Sequence, residues 1–123
     1  MTRFLVVAAG GAAGAVARYG VTLIVAMFWK RDFPLATFLI NVSGSFILGF
    51  FSTLTAERLG VDPIWRLLIA TGFVGAYTTF STFEYETERL TEAGALSWGI
   101  INVVSSVVVG FIAVRLGVVL ARR

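Results

Sequence analysis

Residues 71–86 read TGFVGAYTTFSTFEYE and lie between two apolar stretches. These sixteen positions hold four Thr, one Ser, two Gly, three Phe and two Glu. Such a set suits ion binding without a formal charge. Gly72 and Gly75 weaken a helix, and the hydroxyls of Thr78 and Thr79 can bond to the backbone instead. A broken helix exposes carbonyls that bind a cation and amide N–H groups that bind an anion. Phe80 and Phe83 are three apart and share a face where the helix resumes. An aromatic ring has a positive edge, so two rings turned edge-on could stabilise an anion. The competing reading of the pair is core packing.

Other polar residues fall inside apolar stretches. Arg18 is an intramembrane charge, which is expensive and marks an ion path unless it snorkels to an interface. Asn41 follows LATFLI and precedes VSGS. Its buried amide needs partners, either across a helix–helix contact or along a pore. Asn102 and Ser106 share one face of a later stretch, with Ser105 beside them. Glu84, Glu86 and Glu88 follow the quoted segment and are expected near a water interface.

Enzyme chemistry finds little support. The chain has no His and no Cys, so the commonest general base and the thiol nucleophile are missing. No phosphate-binding loop points to ATP coupling. The net charge is +3, but no basic stripe interleaved with aromatics suggests nucleic acid.

The elements that must position these residues are membrane helices. Of the 123 residues 58% are hydrophobic and 14% charged, against about 25% charged in soluble domains. A spanning helix needs about 20 mostly apolar residues. Four stretches qualify: about 4–28, 35–56, 64–93 with a break near 75–79, and 96–120. WKRDFP, ERLGVDP and EYETERLTEAG separate them. The first stretch begins like a secretory signal but continues past Arg18, so a first membrane helix is expected. One domain, 1–123, is expected. Four spans put both termini on one side. That side carries Arg3, Arg58, Arg66, Arg122 and Arg123, five basic residues against three (Lys30, Arg31 and Arg89) on the other. The positive-inside bias is weak, which allows a chain that inserts either way. GGAAGAVA and NVSGS supply small residues for close helix packing, within a subunit or between two. A dimer is expected.

Three blocks, GGAAGAVARY (10–19), NVSGSFILG (41–49) and TGFVGAYTTFSTFEYE (71–86), resemble the signature blocks of the Fluc/CrcB fluoride channels, in the same order and spacing. The resemblance implies an all-α membrane protein of four transmembrane helices, the third broken near its middle, forming an antiparallel, dual-topology homodimer in the cell (plasma or inner) membrane. It implies two fluoride pores per dimer and passive export of fluoride, relieving its toxicity. A central structural sodium ion would be held by backbone carbonyls matching Gly75 and Thr78, with the side chains of Ala76 and Tyr77 of little account. Phe80 and Phe83 match the rings whose edges face fluoride, and Asn41 the pore asparagine. Ser81, Thr82 and Glu86 match the polar track, and Arg18 the vestibule arginine. Ser106 falls on a fourth-helix position that can be polar. Gly110 stands one turn on, where relatives can carry Ser. The implied partners are a second copy, the bilayer and the permeant fluoride.

The rival is a small multidrug-type exporter, similar in length and span number. Proton-coupled cation export needs a membrane-embedded carboxylate, and the first two spans contain none. A non-transporting membrane subunit would leave the polar third span unexplained.

Overall fold

The computed structural model describes residues 1–57 and 61–123, and every described element is helical. Arg58, one of the basic residues in the topology comparison, lies outside the described residues. The elements are α1 (Thr2–Phe28), α2 (Leu35–Glu57), α3 (Pro63–Arg66), a π-helical segment (Leu67–Val74), α4 (Gly75–Tyr77), α5 (Phe80–Glu92) and α6 (Leu96–Ala121). Helices α1, α2 and α6 are long and apolar enough to cross a membrane. Their outward faces are apolar: Phe4, Met27, Val107 and Phe111 are all exposed. Such faces suit lipid or another subunit, not water.

Local chemistry sets the element ends. Trp29 caps the end of α1, and its indole N–H donates to the Phe33 carbonyl at 2.7 Å. Arg31 lies over the Trp29 ring, 5.6 Å from its centroid. The Asp62 carboxylate accepts from the Ile64 amide at 2.9 Å, with Pro63 in the first turn of α3. This is an ordinary N-terminal cap. Helix α5 closes on Gly94, whose φ is 74°. There Gly94 N–H bonds the Thr91 carbonyl and Ala95 N–H the Leu90 carbonyl, at 3.0 and 2.8 Å. This double bond pattern satisfies the last carbonyls and needs a residue at positive φ, the conformation glycine adopts without strain.

Glycine also sets the packing. A Cβ on Gly10 or Gly14 would strike the carbonyl oxygen of Leu68 or Phe73. A Cβ on Gly72 would lie 2.7 Å from the Val7 carbonyl oxygen and 3.1 Å from the Gly10 Cα. Helix α1 therefore meets the π-helical segment backbone to backbone. Helices α2 and α6 meet the same way, through Gly49 against Val114 and Gly117 against Phe46 and Phe50. Membrane helices lack a hydrophobic drive toward one another, and close backbone approach supplies the van der Waals contact instead. At one end of this pair, Arg122 reaches Glu57 at 2.9 Å. Both side chains are exposed, so the ion pair contributes little.

Candidate functional site

The polar stretch folds as two helical pieces around an extended pair. The chain stays helical through Tyr77, so Gly75 and Ala76 lie within the helical run. Thr78 (φ −76°, ψ 156°) and Thr79 (φ −149°, ψ 114°) are extended, and α5 begins at Phe80. The reason is Asn41. Its Oδ1 accepts from the Thr79 N–H at 2.8 Å, and its Nδ2 donates to the Thr79 carbonyl at 3.0 Å. One side-chain amide thus satisfies both backbone groups of a residue only 8% exposed. Thr79 also caps α5, its Oγ1 accepting from the Thr82 N–H at 3.3 Å. Its hydroxyl donates to Thr82 Oγ1 at 2.9 Å.

These bonds divert two donors. In an unbroken α-helix the Thr79 N–H would bond the Gly75 carbonyl, and the Thr82 N–H the Thr78 carbonyl. The first goes instead to Asn41 and the second to the Thr79 hydroxyl. The Gly75 and Thr78 carbonyls lose those partners. Among the described residues no cluster of His, Cys, Asp and Glu could hold a metal.

Two cavities border the break, and a third lies further along α5. One, of about 290 Å³, brings together Asn41, Thr78, Thr79, Phe80, Phe83 and Ser106. Phe83 is buried at 7% exposure, whereas Phe80 is 74% exposed. Their ring centroids lie 5.8 Å apart, tilted by 43°. A second cavity, of about 280 Å³, holds Arg18 and Thr82 with Thr37 and Thr79. Thr79 therefore borders both. A third, of about 500 Å³, is lined by Glu86, Arg31 and Arg89 and shares Thr22 with the second. Oxygen Oε2 of Glu86 is buried without a hydrogen-bond partner. Ser81 is exposed on α5, as are Glu84 and Glu88.

Residues with weak sequence signals tie the site together. Asn102 is 1% exposed. Its Nδ2 donates to Thr87 Oγ1 at 2.9 Å, and Thr87 in turn donates to the Phe83 carbonyl at 2.8 Å. The Ser106 hydroxyl donates to Asn102 Oδ1 at 3.4 Å. This chain of bonds ties α6 to the turn of α5 that follows Phe83. The Asn102/Ser106 spacing hints at it, but nothing in the sequence singles out Thr87. Gly110 faces Ser45 of α2, whose Oγ lies 3.7 Å from where a Cβ would stand. A hydroxyl from α2 thus lies close to the space left by the missing α6 side chain.

Comparison with known proteins agrees with this architecture. The family described as CrcB-like protein, Camphor Resistance (CrcB), matches residues 5–118. A relative from Acidobacterium capsulatum, named fluoride-specific ion channel FluC, is 46% identical over 121 residues, covering 98% of this chain and 97% of the relative. A protein of the same name from Solibacter usitatus is 43% identical, covering 98% and 99%. Fluoride-specific ion channel FluC 1 of Listeria monocytogenes serovar 1/2a is 50% identical over 90 residues, covering 73% and 72%.

Proposed function

The chain belongs to the CrcB family, and from that premise we propose how its residues conduct fluoride. It is a multi-pass membrane protein and a fluoride-specific channel, not an enzyme. It exports fluoride from the cytoplasm passively across the inner membrane, down the ion's electrochemical gradient. The observation that carries the mechanism is the Asn41–Thr79 pairing, which breaks the helix beside Phe80 and Phe83.

Fluoride is small and tightly hydrated. A path for it must replace water with several weak donors, because an ion held too strongly does not leave. Two kinds of donor border the first cavity, the second hydrogen of Asn41 Nδ2 and the Phe ring edges, with the Ser106 oxygen beside them. Thr82 and Arg18 border the second, across Thr79. Arg18 supplies positive charge at a vestibule and keeps it away from the rings. Ser81, Thr82 and Glu86 form a polar track along α5. The third span comprises α3, the π-helical segment, α4 and α5, broken at Thr78–Thr79.

The working unit is an antiparallel homodimer with two pores. Several features support it. The bias of basic residues between the two sides is weak, five against three. Phe80 is largely exposed on a single protomer, so its cavity is open on one side. A Cβ placed on Gly75 would meet no neighbouring group of its own protomer within 4 Å. The Gly75 and Thr78 carbonyls would be the groups to hold a structural sodium ion, which would supply fixed positive charge near the break.

Fluoride efflux from liposomes holding the purified protein tests the reading, with chloride as control. Fast loss of fluoride without chloride is the expected result. Folded dimers that release no fluoride in sodium would refute the homomeric channel.

A further inference from the structure

We infer that Tyr77 is a positioning residue for the break, acting through a hydroxyl bond to Ser43. The inference deepens the proposed role of the Gly75 and Thr78 carbonyls and rests on it. The Ser43 hydroxyl has one hydrogen, which goes to the Leu39 carbonyl at 2.7 Å, with the Ile40 carbonyl 3.2 Å away. Its oxygen is then the acceptor toward Tyr77, whose phenol donates at 2.9 Å. Tyr77 is 8% exposed, and its ring stacks on Phe73 with centroids 5.6 Å apart and planes 15° from parallel. A buried phenol needs a partner, and Ser43 is the one the fold provides.

The placement gives this bond a role beyond satisfying a hydroxyl. One turn of α2 grips three successive residues of the break. Ser43 takes Tyr77, Gly44 lies against Thr78, and Asn41 takes both backbone groups of Thr79. A Cβ on Gly44 would meet the Thr78 methyl and come within 3.3 Å of Tyr77 Cδ1. Gly75 and Thr78 lie on either side of Tyr77 in the chain. Asn41 fixes the far end of this segment, and Tyr77 fixes its middle. Without the phenol, the stretch from Gly75 to Thr78 is held to α2 by packing alone.

Hydrogen exchange of the full-length protein tests the tether, comparing Tyr77→Phe, Ser43→Ala and the double variant with wild type. Tyr77→Phe removes only the hydroxyl and keeps the stacked ring. Amide exchange across 75–80 is expected to quicken roughly three- to five-fold, the effect of losing one neutral hydrogen bond. Exchange in α6 stays unchanged. Ser43→Ala gives the same change, the double variant adds nothing further, and Ser43→Thr, which keeps an acceptor oxygen, restores the wild-type rate. Fluoride flux at limiting sodium falls more than flux at high sodium. Wild-type exchange across 75–80 in both single variants, or effects that simply add, would overturn the tether. Flux that ignores sodium in every protein would overturn the sodium reading alone, and the exchange comparison would still decide the tether.

Discussion

Replacing Asn41 with Ala removes one side chain and strands two backbone groups. The Thr79 N–H and carbonyl, bonded to Asn41 at 2.8 and 3.0 Å, lose their partners together. Where water reaches a released group, the loss is small. Hydrogen bonds between membrane helices average about 0.6 kcal/mol, because the freed groups find other partners. Thr79 is only 8% exposed, so the stranded groups meet little water. Each then costs about 1–3 kcal/mol, and two set a loss of about 2–6 kcal/mol. The segment has one way to recover, which is for the Thr79 N–H to turn back to the Gly75 carbonyl and continue the helix. That recovery closes the break, so whatever stability returns is taken from conduction. Reversible unfolding in detergent and fluoride efflux, run on the same preparation, read both sides of this exchange. The expected result is a large loss in at least one and a flux at least roughly ten-fold lower, the factor that 1.4 kcal/mol sets. Thr55→Ala is the control, since the Thr55 hydroxyl bonds the Phe51 and Ser52 carbonyls of its own helix and borders none of the three cavities. Asn41→Ala with wild-type stability and wild-type flux would show that the amide does not hold the break.

Other substitutions separate conduction from packing. Phe80→Ile and Phe83→Ile keep bulk but remove the ring edges, and both should abolish fluoride efflux in liposomes. Phe83→Ala, at a buried ring, should also lower stability by about 3–5 kcal/mol. Gly10→Ala should prevent α1 from seating on the π-helical segment, seen as a sharp fall in melting temperature. Gly20→Ala meets nothing within 4 Å and should stabilise the helix by up to about 1 kcal/mol. Exchanging sodium for a large organic cation should lower the melting temperature of the protein, and an unchanged value would count against the backbone-carbonyl site.

The apolar spans are legible in the sequence because each is a long run with few interruptions, and length with composition decides a membrane helix. The polar third segment is legible as a break because glycines and paired threonines conflict with helix there. Its position is less legible. Glycine suggests an opening from residue 75, but the helix continues to Tyr77, since the bond that ends it comes from Asn41, 38 residues away. No local pattern encodes a partner that distant. The π-helical winding of Leu67–Val74 has no sequence signal either. That segment is apolar apart from Thr71 and Gly72, and it lies backbone to backbone against α1. Of the site residues, Asn41, Phe80, Phe83 and Ser106 gather at one cavity. Tyr77 does not stand out in the sequence because its partner, Ser43, sits in a run of small residues that reads equally well as helix packing.

The glycine contacts also limit how such a chain can drift over generations. At Gly10, Gly14, Gly49, Gly72 and Gly117 a single added methyl meets a neighbour's main chain. Side chains can be trimmed by a second mutation, but main chain is present whatever the codon. An intruding methyl at these positions therefore has no one-step suppressor, and only a shift of a whole helix would make room. Gly44 differs, because the atoms it would meet belong to the side chains of Thr78 and Tyr77. Shortening Thr78 to Ser could make room for Ala there. The lineage can thus renegotiate the grip on the break, while the two backbone seams that frame it stay closed to change.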